Sequence, residues 1–292
     1  MTAADGPPPA RRIGLRLAYD GTRYSGWQTQ PGRMTVQGVV TEAIRTISGE
    51  DVLVRGASRT DAGVHALDQV AAFTTASALP VAAWVRALNA RLPADVTVVE
   101  GREVAADFDP VAAAVKKRYR YRIHDAPWRP VLQRHLVWRW RGRLDVTAMA
   151  AAAAHLVGEH DFTSFESTPS TRVSKVRTIH SLTVRRPGEP DGGSLADGRT
   201  ADQPDDLPDD RAGAEVWIEV EGNGFLYNMV RIIAGSLVMV GAGRRPPEWL
   251  GTALAARSRP AAGPTAPPEG LTLVSIHLDA DAWPGFPTHS AP

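Results

Sequence analysis

One carboxylate in this chain occupies a setting in which it could do chemistry. Asp61 lies in a tight turn between two β-prone runs, at 52–54 and 70–73, and Gly63 supplies the backbone freedom that a sharp turn needs. An aspartate there could act as a nucleophile or stabilise a developing charge. Most loop aspartates only cap their own turn, so the turn by itself leaves both interpretations open.

A second segment interleaves aromatic and basic residues. Along a β-strand, Tyr119 and Tyr121 lie on one face, whereas Arg118, Arg120 and Arg122 lie on the other. The pattern alone fits an edge strand that has a solvated basic face and two core tyrosines.

The elements that must position these residues can be read from hydrophobic periodicity. In the first half the pattern predicts a strand from 12 to 19 and a helix that begins after an N-cap at Thr35. It then predicts strands near 52–57 and 69–75, a helix over 81–91 and a strand at 96–104. This β-α-β-β-α-β order is the ferredoxin-like pattern.

The second half repeats this order loosely. Its expected helices are an Ala-rich one at 145–157 capped by Asp145, an apolar one at 225–241, and a short one opened by Pro246 and Pro247. Its expected strands lie at 117–124, 134–141, 174–185, 214–221 and 271–278. We therefore expect an α+β fold with antiparallel sheets and helices packed on one face.

Composition narrows the classes of function. The absence of cysteine from the 292 residues excludes disulfides and Cys-based zinc sites, and the histidines lack the spacing of a metal site. The longest apolar run, 225–240, contains Asn228 and Arg231 and is not a membrane span, and residues 1–12 do not resemble a signal peptide. We expect a cytoplasmic protein without a membrane partner.

The net charge of +1 conceals an uneven distribution. Residues 187–212 carry eight acids and two bases, a net charge of −6, so the rest of the chain carries +7. A positive body suits a phosphate-bearing partner, although charge alone does not identify one. The same acidic segment has almost no apolar residues, which predicts a disordered insertion within a hairpin.

Several segments together resemble the tRNA pseudouridine synthase A family. The heptapeptide at 59–65, Arg-Thr-Asp-Ala-Gly-Val-His, closely resembles the active-site loop of that family. Further segments follow in family order from about residue 13 to residue 278, and they lie at 19–22, 26–30, 35–37, 89–93, 117–121, 160–165, 222–231 and 263–271.

The resemblance implies the pseudouridine synthase fold, which has two ferredoxin-like domains and an active-site cleft between them. The expected parts are a disordered tail at 1–11, an N-terminal domain at 12–106, a C-terminal domain at 107–280 that contains the acidic insertion 187–212, and a tail at 281–292. It also implies a homodimer that acts on uridines 38, 39 and 40 of the tRNA anticodon arm, with no cofactor and no metal.

By the same resemblance Asp61, Arg231 and Tyr119 are the catalytic residues. Pseudouridine formation breaks an N-glycosidic bond, turns the base and forms a bond to carbon. Asp61 provides the nucleophilic or charge-stabilising carboxylate, and Arg231 is the cation that keeps it ionised. Tyr119 stacks on the target uracil, and the resemblance leaves open whether its hydroxyl also transfers a proton. An arginine flanked by Val230 and Ile232 is expected to be at least partly buried, which would require a partner.

The expected substrate-binding residues surround this group. Arg59 displaces the target nucleotide or holds its phosphate, Leu271 bounds the base, and Arg118, Arg120 and Tyr119 contact the RNA. The chain departs from the family pattern at Ser58, where glycine is usual, and at 110–113, where an expected arginine is missing.

Two other functions remain as alternatives. A non-catalytic RNA-binding protein with ferredoxin-like domains would keep the basic surface but would not require both Asp61 and Arg231. A hydrolase that uses Asp61 and His65 would need a serine or cysteine nucleophile motif, which the sequence lacks.

Overall fold

The computed structural model describes residues 10–167, 174–187 and 214–283. Within them the chain is mixed α/β, with mostly antiparallel strands and five α-helices. Contacts divide the chain into two compact units. The described residues of the first unit are 10–118 and 272–283, and those of the second lie within 119–271.

The first unit contains the predicted β-α-β-β-α-β order. Its elements are β1 (Arg11–Tyr19), α1 (Val36–Ser48), β2 (Arg55–Gly56), β3 (His65–Thr75), α2 (Val81–Arg91) and β4 (Val96–Val104). Strand β1 is central and antiparallel to both β3 and β4, and β2 pairs antiparallel with β3.

The core of this unit follows from the alternation of β1. Ile13, Leu15 and Leu17 are completely buried, as the two-residue period predicts, and Gly14 and Arg16 on the opposite face are buried as well. Phe73 of β3 packs edge-on against Trp84 of α2, with ring centroids 5.2 Å apart. The side chain of Thr35 caps α1 by accepting a hydrogen bond from the Gly38 N–H, which confirms the predicted start.

Among its described residues, the second unit has four further strands and three further helices. It contains β6 (Trp138–Arg139), α3 (Val146–Ala154), β7 (Gly158–Asp161), β8 (Val176–Arg185), β9 (Glu215–Gly222), α4 (Met229–Gly241) and α5 (Trp249–Ala255). Strand β5 (Ala114–His124) begins in the first unit and ends in the second. Strand β9 lies between β5 and β8, and β7 pairs antiparallel with β8.

Several boundaries differ from prediction. The strands expected at 52–57 and 134–141 shrink to two residues each, and β7 was not predicted because Gly-Glu-His-Asp has no apolar alternation. Helix α4 begins at Met229 rather than 225 because Asn228 adopts a left-handed conformation, with φ of 60°. The start of this helix was predicted from hydrophobic periodicity, which does not show where a single residue adopts a left-handed conformation.

The final strand, β10 (Leu271–Leu278), lies beside β5, the first strand of the second half, but it does not belong to that half alone as predicted. It pairs in parallel with β3, with Thr272 opposite His65, and the Ile276 N–H donates to Asp68 Oδ2 at 3.1 Å. Residues 272–283 therefore belong to the first unit. The predicted C-terminal domain, 107–280, had included most of them. Parallel pairing between such distant segments leaves no local mark on the sequence.

The expected terminal tails are shorter than predicted. Arg11 is already part of β1, and Trp283, which was assigned to the C-terminal tail, is 3% exposed. The Trp283 ring covers Gly14, where an added Cβ would lie 2.5 Å from a ring carbon, and stacks with the guanidinium of Arg16 at 5.3 Å. The first unit therefore extends to the end of the described chain.

The acidic insertion predicted at 187–212 lies almost wholly outside the described residues. Its flanking strands β8 and β9 form an antiparallel pair, with Arg185 opposite Trp217. Within the described parts of the chain, no helix combines the length and the apolar character needed to cross a bilayer.

Candidate active site

The loop that carries Asp61 connects β2 to β3 in the first unit. Asp61 is half-buried, Arg59 is exposed and Thr60 is buried. The Val64 N–H donates to the Asp61 carbonyl at 3.1 Å, and Gly63 has φ of 78°, so the turn closes directly after the carboxylate. The loop thus presents Asp61 from a fixed turn, as predicted from the glycine.

The segment after β1 holds this loop on both sides of Asp61. The Trp27 N–H donates to the Thr60 carbonyl at 3.0 Å, and the Gly63 N–H donates to the Tyr24 carbonyl at 3.2 Å. Gly26 has φ of 88°, and an added Cβ would lie 2.5 Å from the Thr60 oxygen. The glycine is needed both for its conformation and for this close backbone approach.

A side chain at the start of β3 adds a further anchor. His65 is 3% exposed, and its Nδ1 lies 3.0 Å from both the Gly21 N–H and Asp20 Oδ1. Unprotonated Nδ1 accepts from Gly21, whereas a protonated Nδ1 would donate to Asp20. An added Cβ at Gly21 would lie 1.9 Å from the Val64 oxygen, so no side chain fits there.

The electrostatics of this anchor favour an ionised Asp20. Burial raises the pKa of the Asp20 carboxyl, but hydrogen bonds from Thr22 and the neighbouring His65 lower it more, so the pKa lies below its ordinary value. The Asp20 carboxylate is therefore ionised at neutral pH and lies beside the Gly21–His65 hydrogen bond.

The two departures from the family pattern fit this framework. Ser58 is buried and is absent from the positive-φ residues, so its Cβ causes no strain. Its N–H and carbonyl are bound by the side-chain amide of Gln69 at 3.2 and 2.6 Å. In the atypical 110–113 stretch, the Val111 N–H donates to Asp109 Oδ1, and Asp109 also pairs with Arg55.

In the second unit, the tyrosines of β5 occupy its buried face, as the alternation predicted. Tyr119 is 7% exposed and meets Phe225 edge-on, with ring centroids 5.3 Å apart. Tyr121 is fully buried and donates to the Pro267 carbonyl at 2.6 Å. Burial and the nearby Glu269 raise the pKa of the Tyr121 hydroxyl well above its ordinary value, against an opposing effect of Arg231.

Arg231 lies in the first turn of α4 and is half-buried. Its Nε donates to the Ala266 carbonyl and its Nη1 donates to Asn228 Oδ1, both at 2.8 Å. The Ala266 N–H returns a bond to the Arg231 carbonyl at 3.1 Å. These bonds fix the guanidinium, because the neighbouring Asn228 is itself held by a bond to Ser167.

The loop that carries Leu271 is packed closely against the same helix and strand. An added Cβ at Gly235 of α4 would lie 1.9 Å from the Pro264 carbonyl oxygen. At Gly270 it would lie 2.7 Å from the Tyr121 ring. Leu271 is 5% exposed. Tyr121, Arg231 and the 263–271 loop are therefore brought together within the second unit.

The arginines on the other face of β5 have partners that were not predicted. Arg120 Nε and Nη2 donate to Glu219 Oε1 at 2.9 and 2.8 Å, and its guanidinium lies 4.0 Å from the Trp217 ring centroid. Arg122 makes a bidentate pair with Glu215. The interpretation of a solvated basic face is therefore wrong for Arg120 and Arg122. The sequence did contain a signal for these partners, because Glu215 and Glu219 lie on the same face of β9.

The predicted site residues thus fall into two groups. Asp61 and Arg59 belong to the first unit, as does Arg118, whereas Tyr119, Arg231 and Leu271 belong to the second, as does Arg120. The expected ion pair between Asp61 and Arg231 remains a prediction. In the described part of the chain, no three histidine, aspartate or glutamate side chains converge as metal ligands would.

Comparison with known proteins gives a consistent match over most of the chain. Residues 17–110 and 152–279 match the model of a family described as tRNA pseudouridine synthase. The tRNA pseudouridine synthase A of Geotalea uraniireducens is 42% identical over 266 residues, which is 91% of this chain and 99% of that protein. The protein of that name from Myxococcus xanthus is 43% identical over 265 residues, 91% of each chain.

A third relative, the tRNA pseudouridine synthase A of Brevibacillus brevis, is 44% identical over 266 residues, 91% of this chain and 99% of that protein. The segments that match the family model contain Asp61, Arg231 and Leu271, whereas Tyr119 lies between them.

Proposed function

The chain belongs to the tRNA pseudouridine synthase family, and we propose that it converts uridines 38, 39 and 40 of the tRNA anticodon arm to pseudouridine. The family membership rests on the segments that match the family model and on relatives that are more than 40% identical over about nine-tenths of the chain. The observation that carries the proposal is the fixed turn around Asp61. It presents a half-buried carboxylate from backbone that is anchored on both sides.

The reaction requires one bond to break and another to form. The N1–C1′ glycosidic bond of uridine breaks, the base turns, C5 bonds to C1′, and the proton leaves C5 while N1 gains one. The Asp61 carboxylate forms or stabilises the intermediate by attack at C1′ or at C6. A carboxylate held in a fixed geometry contributes by positioning as well as by charge.

Arg231 supplies the cation that keeps this carboxylate ionised. The bonds to Ala266 and Asn228 support this role, because they orient the guanidinium before any RNA is bound. An opposite charge within about 4–6 Å favours the ionised form of a carboxyl group. The pairing of Arg231 with Asp61 is thus part of the proposal.

The remaining residues hold the target nucleotide. Tyr119 provides the stacking face for the uracil, and its edge contact with Phe225 supports a fixed ring orientation. Leu271 bounds the base, and Arg59, which is exposed, holds a phosphate of the displaced nucleotide. Arg118 contacts the RNA backbone. Arg120 also contacts the RNA while its guanidinium stays bound to Glu219.

The fold and assembly complete the proposal. The element order of the first unit supports a ferredoxin-like domain, and we extend that description to the second half, with a homodimer as the working state in the cytoplasm. A non-catalytic RNA-binding protein with the same domains is the alternative, and it would bind tRNA without changing it.

Nucleoside mapping of a tRNA transcript distinguishes the two. The wild-type protein should convert uridine to pseudouridine in the anticodon arm, and Asp61→Asn should abolish turnover while filter binding of tRNA stays nearly unchanged, because the amide keeps the shape but not the charge. Asp51→Asn, at an exposed carboxylate of the same unit, is the matched control. Turnover by Asp61→Asn within about tenfold of wild type, or 1.4 kcal/mol, would remove Asp61 from the mechanism.

A further inference from the structure

The residue directly before Asp61 is bound to a tyrosine at the end of β1. Thr60 is 6% exposed and Tyr19 is 5% exposed. Their hydroxyl oxygens lie 2.8 Å apart, a hydrogen bond in which either group can donate. Two buried hydroxyls from segments 41 positions apart therefore meet at the residue that precedes Asp61.

Tyr19 itself is held in a rigid setting. Its main chain pairs with Ala66 of β3 and with Val96 of β4. Its ring lies 6.2 Å from the ring of Trp27, which is 1% exposed. Because the backbone is fixed on both sides and the ring is packed, the hydroxyl position is set by the sheet rather than by the loop.

The same part of the chain also fixes the Thr60 backbone. The Trp27 N–H donates to the Thr60 carbonyl at 3.0 Å, while the Tyr19 hydroxyl engages the Thr60 side chain. Thr60 is thus held at its carbonyl and at its side chain. These two bonds restrict the rotation of the planar Thr60–Asp61 peptide and so limit the directions that the Asp61 Cα–Cβ bond can take.

We infer that Tyr19 is a positioning residue for the reaction, which acts through the Thr60 hydroxyl to fix the carboxylate of Asp61. The inference rests on the proposed function of Asp61. A displacement of about 1 Å at a catalytic group can cost on the order of 10²-fold in rate. Because Tyr19 and Thr60 are both buried, the loss should appear in kcat rather than in tRNA affinity.

Conservative variants separate this role from a purely structural one. Tyr19→Phe removes one hydroxyl and keeps the ring against Trp27. Thr60→Val removes the other hydroxyl and keeps the branched shape, whereas Thr60→Ser keeps the hydroxyl and is the matched control. Thermal unfolding of each variant sets a temperature at which all are folded, and kcat, KM and tRNA binding are measured there.

We expect Tyr19→Phe and Thr60→Val each to lower kcat by about tenfold or more, with KM and tRNA affinity within about twofold of wild type. The double variant should be no slower than the worse single variant, because both substitutions delete the same bond. Thr60→Ser should stay within about threefold of wild type. If Tyr19→Phe does not fold, the comparison of Thr60→Val with Thr60→Ser still tests the same hydrogen bond.

Three results would overturn the inference: hydroxyl deletions that leave kcat within about twofold, losses that multiply in the double variant, or a Thr60→Ser variant as slow as Thr60→Val. An inactive wild-type protein would instead refute the proposed function. An active wild-type protein together with fully active Tyr19→Phe and Thr60→Val would refute only the role of Tyr19.

Discussion

Replacement of Arg231 by lysine tests whether the active site needs an oriented guanidinium or only a positive charge. The guanidinium donates from Nε to the Ala266 carbonyl and from Nη1 to Asn228 Oδ1, both at 2.8 Å. A single ammonium nitrogen cannot occupy both donor positions. Lysine therefore keeps the positive charge but loses one of these two hydrogen bonds and the fixed orientation of the charged group.

The size of the effect follows from the bonds. A hydrogen bond from a charged donor contributes about 1.5–3 kcal/mol. If that loss falls entirely on the transition state, kcat/KM decreases roughly 10- to 150-fold. If it also appears in stability, the midpoint of thermal unfolding falls by roughly 3–12 °C, at about 2–4 °C per kcal/mol for a chain of this size class.

Arg259 offers a matched control, because it binds other residues of the same 263–271 loop. Its Nη1 donates to the Gly263 carbonyl at 2.8 Å and its Nη2 donates to Thr265 Oγ1 at 3.3 Å. Arg259→Lys should lower the unfolding temperature to a similar extent while kcat/KM stays within about threefold of wild type.

The assay is pseudouridine formation on a tRNA transcript, with thermal unfolding of the same samples. Arg231→Lys activity within about threefold of wild type would show that a charge alone suffices. An equal loss in Arg259→Lys would show that the arginines act only by holding the 263–271 loop. Either result would refute the reasoning.

Three further predictions concern residues outside this pair. Tyr119→Phe should bind tRNA but turn over slowly, whereas Tyr119→Ala should also weaken binding, since only alanine removes the stacking face; equal rates for phenylalanine and tyrosine would exclude a chemical role for the hydroxyl. Replacement of 188–210 by a short Gly-Ser turn should leave activity unchanged and tighten tRNA binding at low salt, and loss of folded protein would show a structural role. Asp125→Asn should destabilise the protein by about 3–5 kcal/mol at neutral pH in denaturant titrations, because the buried Arg186 loses its paired carboxylate. Burial raises the pKa of Asp125, but hydrogen bonds from Arg186 and the Leu144 backbone lower it more, so this stabilisation is complete above the ordinary carboxyl pKa of 3.8 and is lost as the pH falls through the depressed value. The difference between wild type and Asp125→Asn should therefore shrink in acid, and a constant difference would contradict the assignment.

Local signals in the sequence were sufficient for β1, for α1 and for the turn that carries Asp61. The alternation of β1 and the N-cap at Thr35 placed β1 and α1, and the Asp61 turn was recognised because its glycine and its neighbours are contiguous. These features depend on backbone geometry over a few residues, so residue type and spacing determine them. The family resemblance had the same basis, since its motifs are short runs.

Other features were decided only by tertiary structure. The pairing of β10 with β3, the Trp283 ring over Gly14 and the acids of β9 that bind Arg120 all join residues far apart in the chain. Residue type alone does not identify these partners, since a strand pattern states which face is apolar but not which strand lies beside it. The partner is chosen when the whole core packs, and that choice has no local signature.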